Sequence, residues 1–188
     1  KQHIIKILDN VFVYHYKENV FVPKPQYKPL NLDNSKINEK LINHLFDIAL
    51  KDPTFSVVFS VLKYIACSFP FIFQSNPKRL FEAILPAMEN INLLFDLKST
   101  NEKENAKKIL ICEASISAVF TLIYALNSTK VYDAFIPWFF DNVDNMSLSQ
   151  IFCMFYIFIS VSVITTLPIQ ISKFLKYGIF EKISDILL

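Results

Sequence analysis

The chain has 188 residues, 53% of them hydrophobic, and a formal net charge of +2 with both signs interspersed. It is long enough to bury a substantial core. Because it is nearly neutral and has a single arginine, Arg79, it lacks the Arg-rich basic stripe that is typical of nucleic-acid binding. Its one glycine argues against phosphate-binding loops and dinucleotide turns, which need several, so we predict no nucleotide cofactor.

Two patterns fit the residues before Pro23. Apolar residues between positions 4 and 12 follow a helical period, and we favour a helix over residues 2–16. The apolar residues that flank positions 17–19 on both sides fit the two strands of a hairpin instead. The residue pattern leaves this choice open.

A proline-rich stretch, residues 23–29, separates this beginning from the rest of the chain. No helix can cross it, because each Pro lacks an N–H donor and fixes its own backbone, so it predicts an extended connector. We therefore divide the chain into an N-terminal arm with its connector, residues 1–32, and a helical region, residues 33–188.

Helix start and stop signals recur throughout the second region. Small polar residues, often followed by Pro or by an acid or amide three positions on, mark the starts, and the lone Gly178 suits a left-handed helix end. The start signals are residues 33–35, Asp52 with Pro53, Asn76 with Pro77, Asn101 with Glu104, and Ser147 with Gln150. The predicted helices cover residues 35–51, 53–70, 77–96, 102–126, 130–144, 147–167 and 168–177. This pattern predicts an all-α region.

Residues 145–172 contain no charge and are long enough to span a bilayer. However, Ser and Thr dilute the stretch, Pro168 interrupts it, and no Trp lies at either end. The two other long apolar runs contain Lys63 and Glu113, each of which would cost roughly 2.5–3.5 kcal/mol at a bilayer centre. We therefore favour a protein core, in which both charges turn outward. An integral membrane protein with about three spans is the alternative.

Within a protein core, an uncharged helix is expected at the centre. We predict that residues 147–167 form the most buried helix of the region, packed against the helix of residues 102–126. Phe155 and Ile159 are then core residues whose truncation destabilises the fold.

Cys67, Cys112 and Cys153 are odd in number, widely spaced and each within an apolar run. This pattern predicts reduced, buried, unpaired and metal-free thiols in an intracellular protein of the cytoplasm or nucleus.

The remaining chemistry-bearing residues form no recognisable site. His3, His15 and His44 lie far apart and show no metal-ligand spacing. Asp141 and Asp144, the only acidic pair worth weighing for acid–base chemistry, sit where a helix ends, and we interpret them as a solvated turn. We predict no enzyme activity, no catalytic, cofactor or metal site, and no small-molecule substrate.

Two segments resemble the first helix of a HEAT repeat, in which an apolar pair, a Pro, spaced apolar residues and a closing Asp recur. They are residues 83–96, with the sequence AILPAMENINLLFD, and residues 134–144, with the sequence AFIPWFFDNVD. Residues 176–188 are similar to an armadillo repeat, in which a Gly-Ile turn precedes a helix with paired Leu. The resemblance covers residues 35–188 and implies antiparallel helix pairs stacked as an α-solenoid. It does not separate the two families.

Such a resemblance implies a non-catalytic scaffold or adaptor whose partners are other proteins, and a chain that belongs to a longer array or complex. Neither repeat family brings a catalytic residue. The 19 Phe, the excess of Lys over Arg and the single Gly suggest an AT-rich genome. The abundant aromatic residues are therefore not read as stacking platforms.

Overall fold

The computed structural model describes residues 12–15, 20–23, 37–96 and 102–164, together with Gly178, Glu181 and Ser184. The chain divides into two compact units, Lys1–Ile37 and Asn38–Leu188. The predicted connector after Pro23 and the predicted helix of residues 168–177 lie outside the described residues. Gly178 has a φ of 64°, the left-handed conformation that we predicted for it.

In the first unit, strands β1 (Phe12–His15) and β2 (Val20–Pro23) form an antiparallel hairpin. Phe12 pairs with Pro23 at one end and His15 pairs with Val20 at the other. The helix that we favoured over residues 2–16 is therefore wrong for residues 12–15, where the alternative hairpin is present. Val, Phe and Tyr pack well on a pleated surface, and cross-strand pairing here outweighs the helical spacing of the preceding residues.

The described part of the second unit contains six α-helices and three 3₁₀ segments. The α-helices are α1 (Glu39–Lys51), α2 (Ser56–Ser68), α3 (Pro77–Met88), α4 (Glu102–Ala125), α5 (Thr129–Asn142) and α6 (Leu148–Ile164). The 3₁₀ segments are Pro70–Ser75, Glu89–Asp96 and Val143–Asn145. The prediction of an all-α region is confirmed for these residues.

The start of α3 follows the local signal that we identified. The Asn76 side chain accepts a hydrogen bond from the backbone N–H of Arg79 at 3.3 Å, and Pro77 occupies the first helical position, where its missing N–H is not needed. Pro86 lies inside α3, and the α-helix ends two residues later, where a 3₁₀ segment takes over.

Two other starts differ from the prediction. Helix α1 begins at Glu39, because the Asn38 side chain caps it by accepting from the Leu41 N–H at 3.0 Å. Helix α2 begins only at Ser56, because Asp52 is engaged elsewhere and accepts from both the N–H and the hydroxyl of Thr54, at 3.0 and 2.7 Å. The predicted caps at residues 33–35 and at Asn101 lie outside the described residues.

The helices pack in two alternating series. Helix α1 contacts α3, and α3 contacts α5, while α2 contacts α4 through the most extensive helix interface and α4 contacts α6. The consecutive helices α1 and α2, and likewise α3 and α4, also touch. Arg79 links the first series, since its guanidinium donates to Asn43 at 3.1 Å and to Asp47 on α1. The single arginine of the sequence thus makes intramolecular contacts between two helices.

An aromatic cluster joins α3, α5 and α6. Phe81 lies 5.3 Å from Phe135 and 5.1 Å from Trp138, measured between ring centroids. The Phe158 ring of α6 lies 5.7 Å from Phe135 and 5.0 Å from Phe139, the latter edge to face. Burial of these rings and their tilted or edge-on contacts anchor one face of α6 in the core.

Candidate interaction surface

Helix α6 begins with a reciprocal capping box. The Ser147 N–H donates to the Gln150 side-chain oxygen at 3.0 Å, and the Gln150 N–H donates to the Ser147 hydroxyl at 3.3 Å. This confirms the start that the sequence predicted. The Ser147 hydroxyl also donates to the Glu89 carboxylate, so the same residue ties α6 to the segment that follows α3.

The end of α3 and the start of its 3₁₀ continuation, residues 85–90, form what we call the Pro86 junction. A helix end leaves carbonyl groups without intrahelical donors. Side chains of α4 and α6 supply donors here. Gln150 Nε2 donates to Leu85 O at 3.1 Å, Ser115 Oγ to Ala87 O at 2.6 Å, Cys153 Sγ to Met88 O at 3.9 Å and Cys112 Sγ to Asn90 O at 3.8 Å. The junction therefore orients both neighbouring helices.

Two of the three cysteines belong to this junction. Burial raises the pKa of Cys112 to about 11 and that of Cys153 to about 12, so both are neutral S–H donors at physiological pH. Cys67 differs, because its side chain is exposed on α2, and the prediction that it is buried is wrong. Partial desolvation still raises the pKa of Cys67, while the Lys63 ammonium one turn away acts in the opposite direction. All three are free thiols.

The contacts with the junction set the rotation of α6. Ser147, Gln150 and Cys153 face the junction, and Phe158 enters the aromatic cluster. The opposite side of the helix carries four large apolar residues, which we call the α6 stripe. They are Leu148, Phe152, Phe155 and Ile159, with exposed fractions of 69%, 55%, 37% and 42%.

The α6 stripe corrects the prediction for this helix. Phe155 and Ile159, which we predicted to be core residues, are both exposed. At about 100° per residue the four stripe positions fall within roughly 60° of the helix circumference, so they form one continuous face. A helix that is apolar on every side does not indicate which side is buried, and here the polar anchors at its start decide it.

Four of the nine large apolar residues that are exposed in the described part of the chain lie on this one helix face. No charged residue occurs between Asp144 and Lys173, and the exposed side chains amount to an area on the order of several hundred Å². The other large apolar residues with exposed side chains lie on different elements, at Leu50, Phe55, Val57, Phe71 and Leu110. Apolar patches of this size on a protein surface commonly mark interaction sites.

The two charges inside apolar runs behave differently. Glu113 is exposed, as predicted. Lys63 is half-buried between α2 and its neighbours, and burial lowers the pKa of Lys63 while the Glu113 carboxylate raises it. The Glu113 carboxylate on α4 therefore acts electrostatically on the Lys63 ammonium of α2.

The structure does not bring the predicted His and Asp residues into a site. His44, Asp141 and Asp144 are exposed, which agrees with a solvated turn for the two aspartates. His15 lies in β1, and His3 is outside the described residues. Within residues 37–96 and 102–164, no three His, Cys, Asp or Glu side chains are placed to hold a metal ion.

One described helix, Glu104–Ala125, is long and apolar enough to cross a membrane. Its most apolar part is 61% buried inside the protein, which is also expected of the central helix of a helical core. Helix α6 covers 17 described residues, Leu148–Ile164.

No protein family, no curated protein and no solved structure matches this chain. The resemblance to HEAT and armadillo repeats therefore stays a hypothesis, and the function is inferred from the α6 stripe and from the helix packing.

Proposed function

We propose that this chain is a non-catalytic, intracellular protein-interaction scaffold of the HEAT- or armadillo-like class, and that it binds another protein through the α6 stripe. The observation that carries the proposal is the stripe itself. Four large apolar side chains share one face of a helix that is anchored on its opposite side by the Pro86 junction and on a neighbouring side by the aromatic cluster. A rigid helix with an apolar face is a common docking element.

The alternating packing of the helices supports the repeat architecture. In helical-repeat proteins each helix pair stacks on the previous pair, so a helix contacts the one two places along the chain. The series α1–α3–α5 and α2–α4–α6 follow this rule. Pro86 in α3 and Pro137 in α5 occupy corresponding helices of the first series, as the resemblance to HEAT repeats implies.

The energetics of burial favour a partner at this face. Each Å² of apolar surface removed from water contributes about 25 cal/mol, so several hundred Å² give a gross gain on the order of 10 kcal/mol. Only part of it becomes affinity, because association costs translational and rotational freedom and orders side chains. Phe152 and Phe155 are the expected anchors, since aromatic residues are enriched at the centres of interfaces.

The test compares the proteins that are captured by the full chain and by two variants, each expressed in cells of the organism that encodes it. In Phe152→Lys with Phe155→Lys, two charges interrupt the stripe. In Leu110→Lys, one charge replaces an exposed apolar residue on α4 and serves as the control. We expect a specific set of proteins to bind the original chain and the control, and to be lost from the stripe variant. Capture of the same proteins by all three would refute binding through the stripe, provided that circular dichroism shows equal helix content.

A further inference from the structure

The spacing of the α6 stripe is that of a coiled-coil seam. Its four residues, Leu148, Phe152, Phe155 and Ile159, recur at intervals of four, three and four. Apolar residues recur at these intervals in a heptad repeat, where they insert between side chains of a facing helix that crosses at about 20°. The occupant that suits the stripe is therefore an α-helix with the same spacing.

The stripe is its own complement. Because the intervals four, three and four are the same when counted from either end, an antiparallel copy related by a twofold axis places every stripe residue opposite another. Leu148 then lies opposite Ile159 of the second copy, and Phe152 lies opposite Phe155 of the second copy. Two pairs of aromatic rings meet at the centre, where aromatic residues are enriched in protein interfaces.

The exposure of the side chains favours the antiparallel arrangement. Leu148 is 69% exposed and Ile159 is 42% exposed, so the stripe projects furthest from the protein at the start of α6. An antiparallel copy pairs a more exposed side chain with a less exposed one at both ends, which keeps the two helices evenly separated. A parallel copy would place two Leu148 side chains together and would separate the helices at the other end.

The residues beside the stripe do not oppose this contact. Ser149 and Tyr156, which flank the stripe on one side, are uncharged and partly exposed. Two copies can therefore meet without repulsion between like charges and without burying an unpaired charge. Residues 145–172 contain no Lys or Arg, so the stripe also lacks the cations with which an amphipathic helix binds an anionic membrane.

The area of the stripe indicates how strong the contact is. At roughly 200 Å² for a fully exposed large side chain, the four residues present about 400 Å², and two copies together remove about 800 Å² from water. Stable interfaces bury about 1,200–2,000 Å² in total, and smaller ones are characteristic of transient association. We therefore expect a reversible dimer that forms at high concentration.

We propose that two copies of this chain associate through their α6 stripes, antiparallel, about a twofold axis that passes between Phe152 and Phe155. The inference rests on the proposed function in one respect, namely that the stripe is a docking face. It names the partner, a second copy of the chain, whose binding excludes any other protein from the stripe while the dimer persists.

The first test is sedimentation velocity of the purified full chain between about 10 µM and about 1 mM. We expect the average mass to rise with concentration from that of one chain toward that of two. Leu148→Lys places a charge at the most exposed stripe position, where it does not disturb the core, and should raise the dissociation constant at least about tenfold. Leu110→Lys, on α4, is the matched control and should leave it unchanged. Circular dichroism checks that all three proteins have equal helix content.

The second test determines the orientation by crosslinking. In a Cys67→Ser background, which removes the exposed native thiol, a chain with Leu148→Cys is mixed with a chain with Ile159→Cys. The antiparallel arrangement places these two thiols opposite each other, whereas two thiols at position 148 lie about 17 Å apart along the helix axis. A bis-maleimide with a reach below this distance should join the mixed pair and should give little product between two Leu148→Cys chains.

Four results would overturn the inference. They are a chain that stays monomeric up to about 1 mM, which would leave the stripe to a different protein, a Leu148→Lys variant that dimerises like the original chain, a mass that grows beyond two chains, and equal yields of mixed and same-position crosslinks. Both tests use the purified chain, whereas partner capture uses cells. A monomeric chain whose stripe still captures other proteins would refute only this inference, and a dimer whose capture does not depend on the stripe would refute only the proposed function.

Discussion

The rotation of α6 predicts that two phenylalanines three residues apart contribute very differently to stability. Phe158 is fully buried, with its ring 5.0 Å from Phe139 and 5.7 Å from Phe135. Phe158→Ala removes these contacts and leaves a cavity, which costs about 3–5 kcal/mol. Phe155 is 37% exposed, so Phe155→Ala forfeits about two thirds of a transfer free energy of roughly 1.5–3 kcal/mol and leaves no closed cavity, a loss of about 1–2 kcal/mol.

The free energy of unfolding of the two variants and the original chain is measured by urea titration, followed by far-ultraviolet circular dichroism. We expect a lower midpoint for Phe158→Ala than for Phe155→Ala, with similar slopes. Phe158→Leu, which keeps most of the volume, should recover much of the loss. If Phe155→Ala destabilises the protein as much as or more than Phe158→Ala, α6 is rotated differently and the stripe is not an exposed face.

Three further predictions follow from the cysteines and the capping box. In the native protein a thiol reagent should label Cys67 and should reach Cys112 and Cys153 only after unfolding, which mass spectrometry of the labelled peptides checks. Because folding raises the pKa of Cys112 to about 11 and that of Cys153 to about 12, the unfolded chain loses these protons first. The contribution of the two neutral thiols to stability is therefore fully present below about pH 9 and is lost as the pH rises through about 11 to 12. Cys153→Ala should reduce this loss of stability, which urea titrations between pH 8 and 11 measure. Ser147→Ala removes the hydroxyl that caps α6 and should lower the free energy of unfolding by about 0.5–2 kcal/mol, whereas Ser149→Ala, inside the helix, should have little effect.

The local sequence was sufficient to place several helices, because their start signals act within one turn. Asn76 with Pro77 and Ser147 with Gln150 satisfy backbone groups three residues away, so no distant residue is needed to predict them. The same reasoning was wrong at Asp52, where Thr54, two residues further along the chain, engages the carboxylate and the helix begins later. A hairpin instead of a helix at residues 12–15 depended on pairing with a second strand.

The sequence by itself thus determined the helical class of residues 37–96 and 102–164, most helix starts and the left-handed turn at Gly178, since these depend on neighbouring residues. The tertiary structure alone decided which side of α6 is exposed. Stripe residues recur at intervals of four, three and four, and polar anchors recur at intervals of three, but a helix that is apolar all round lets either side face the core. Gln150 and Cys153 donate to carbonyl groups of the Pro86 junction, which lie more than 60 residues away in the sequence, and these contacts decide which side is buried. A local sequence pattern cannot predict a contact over such a separation.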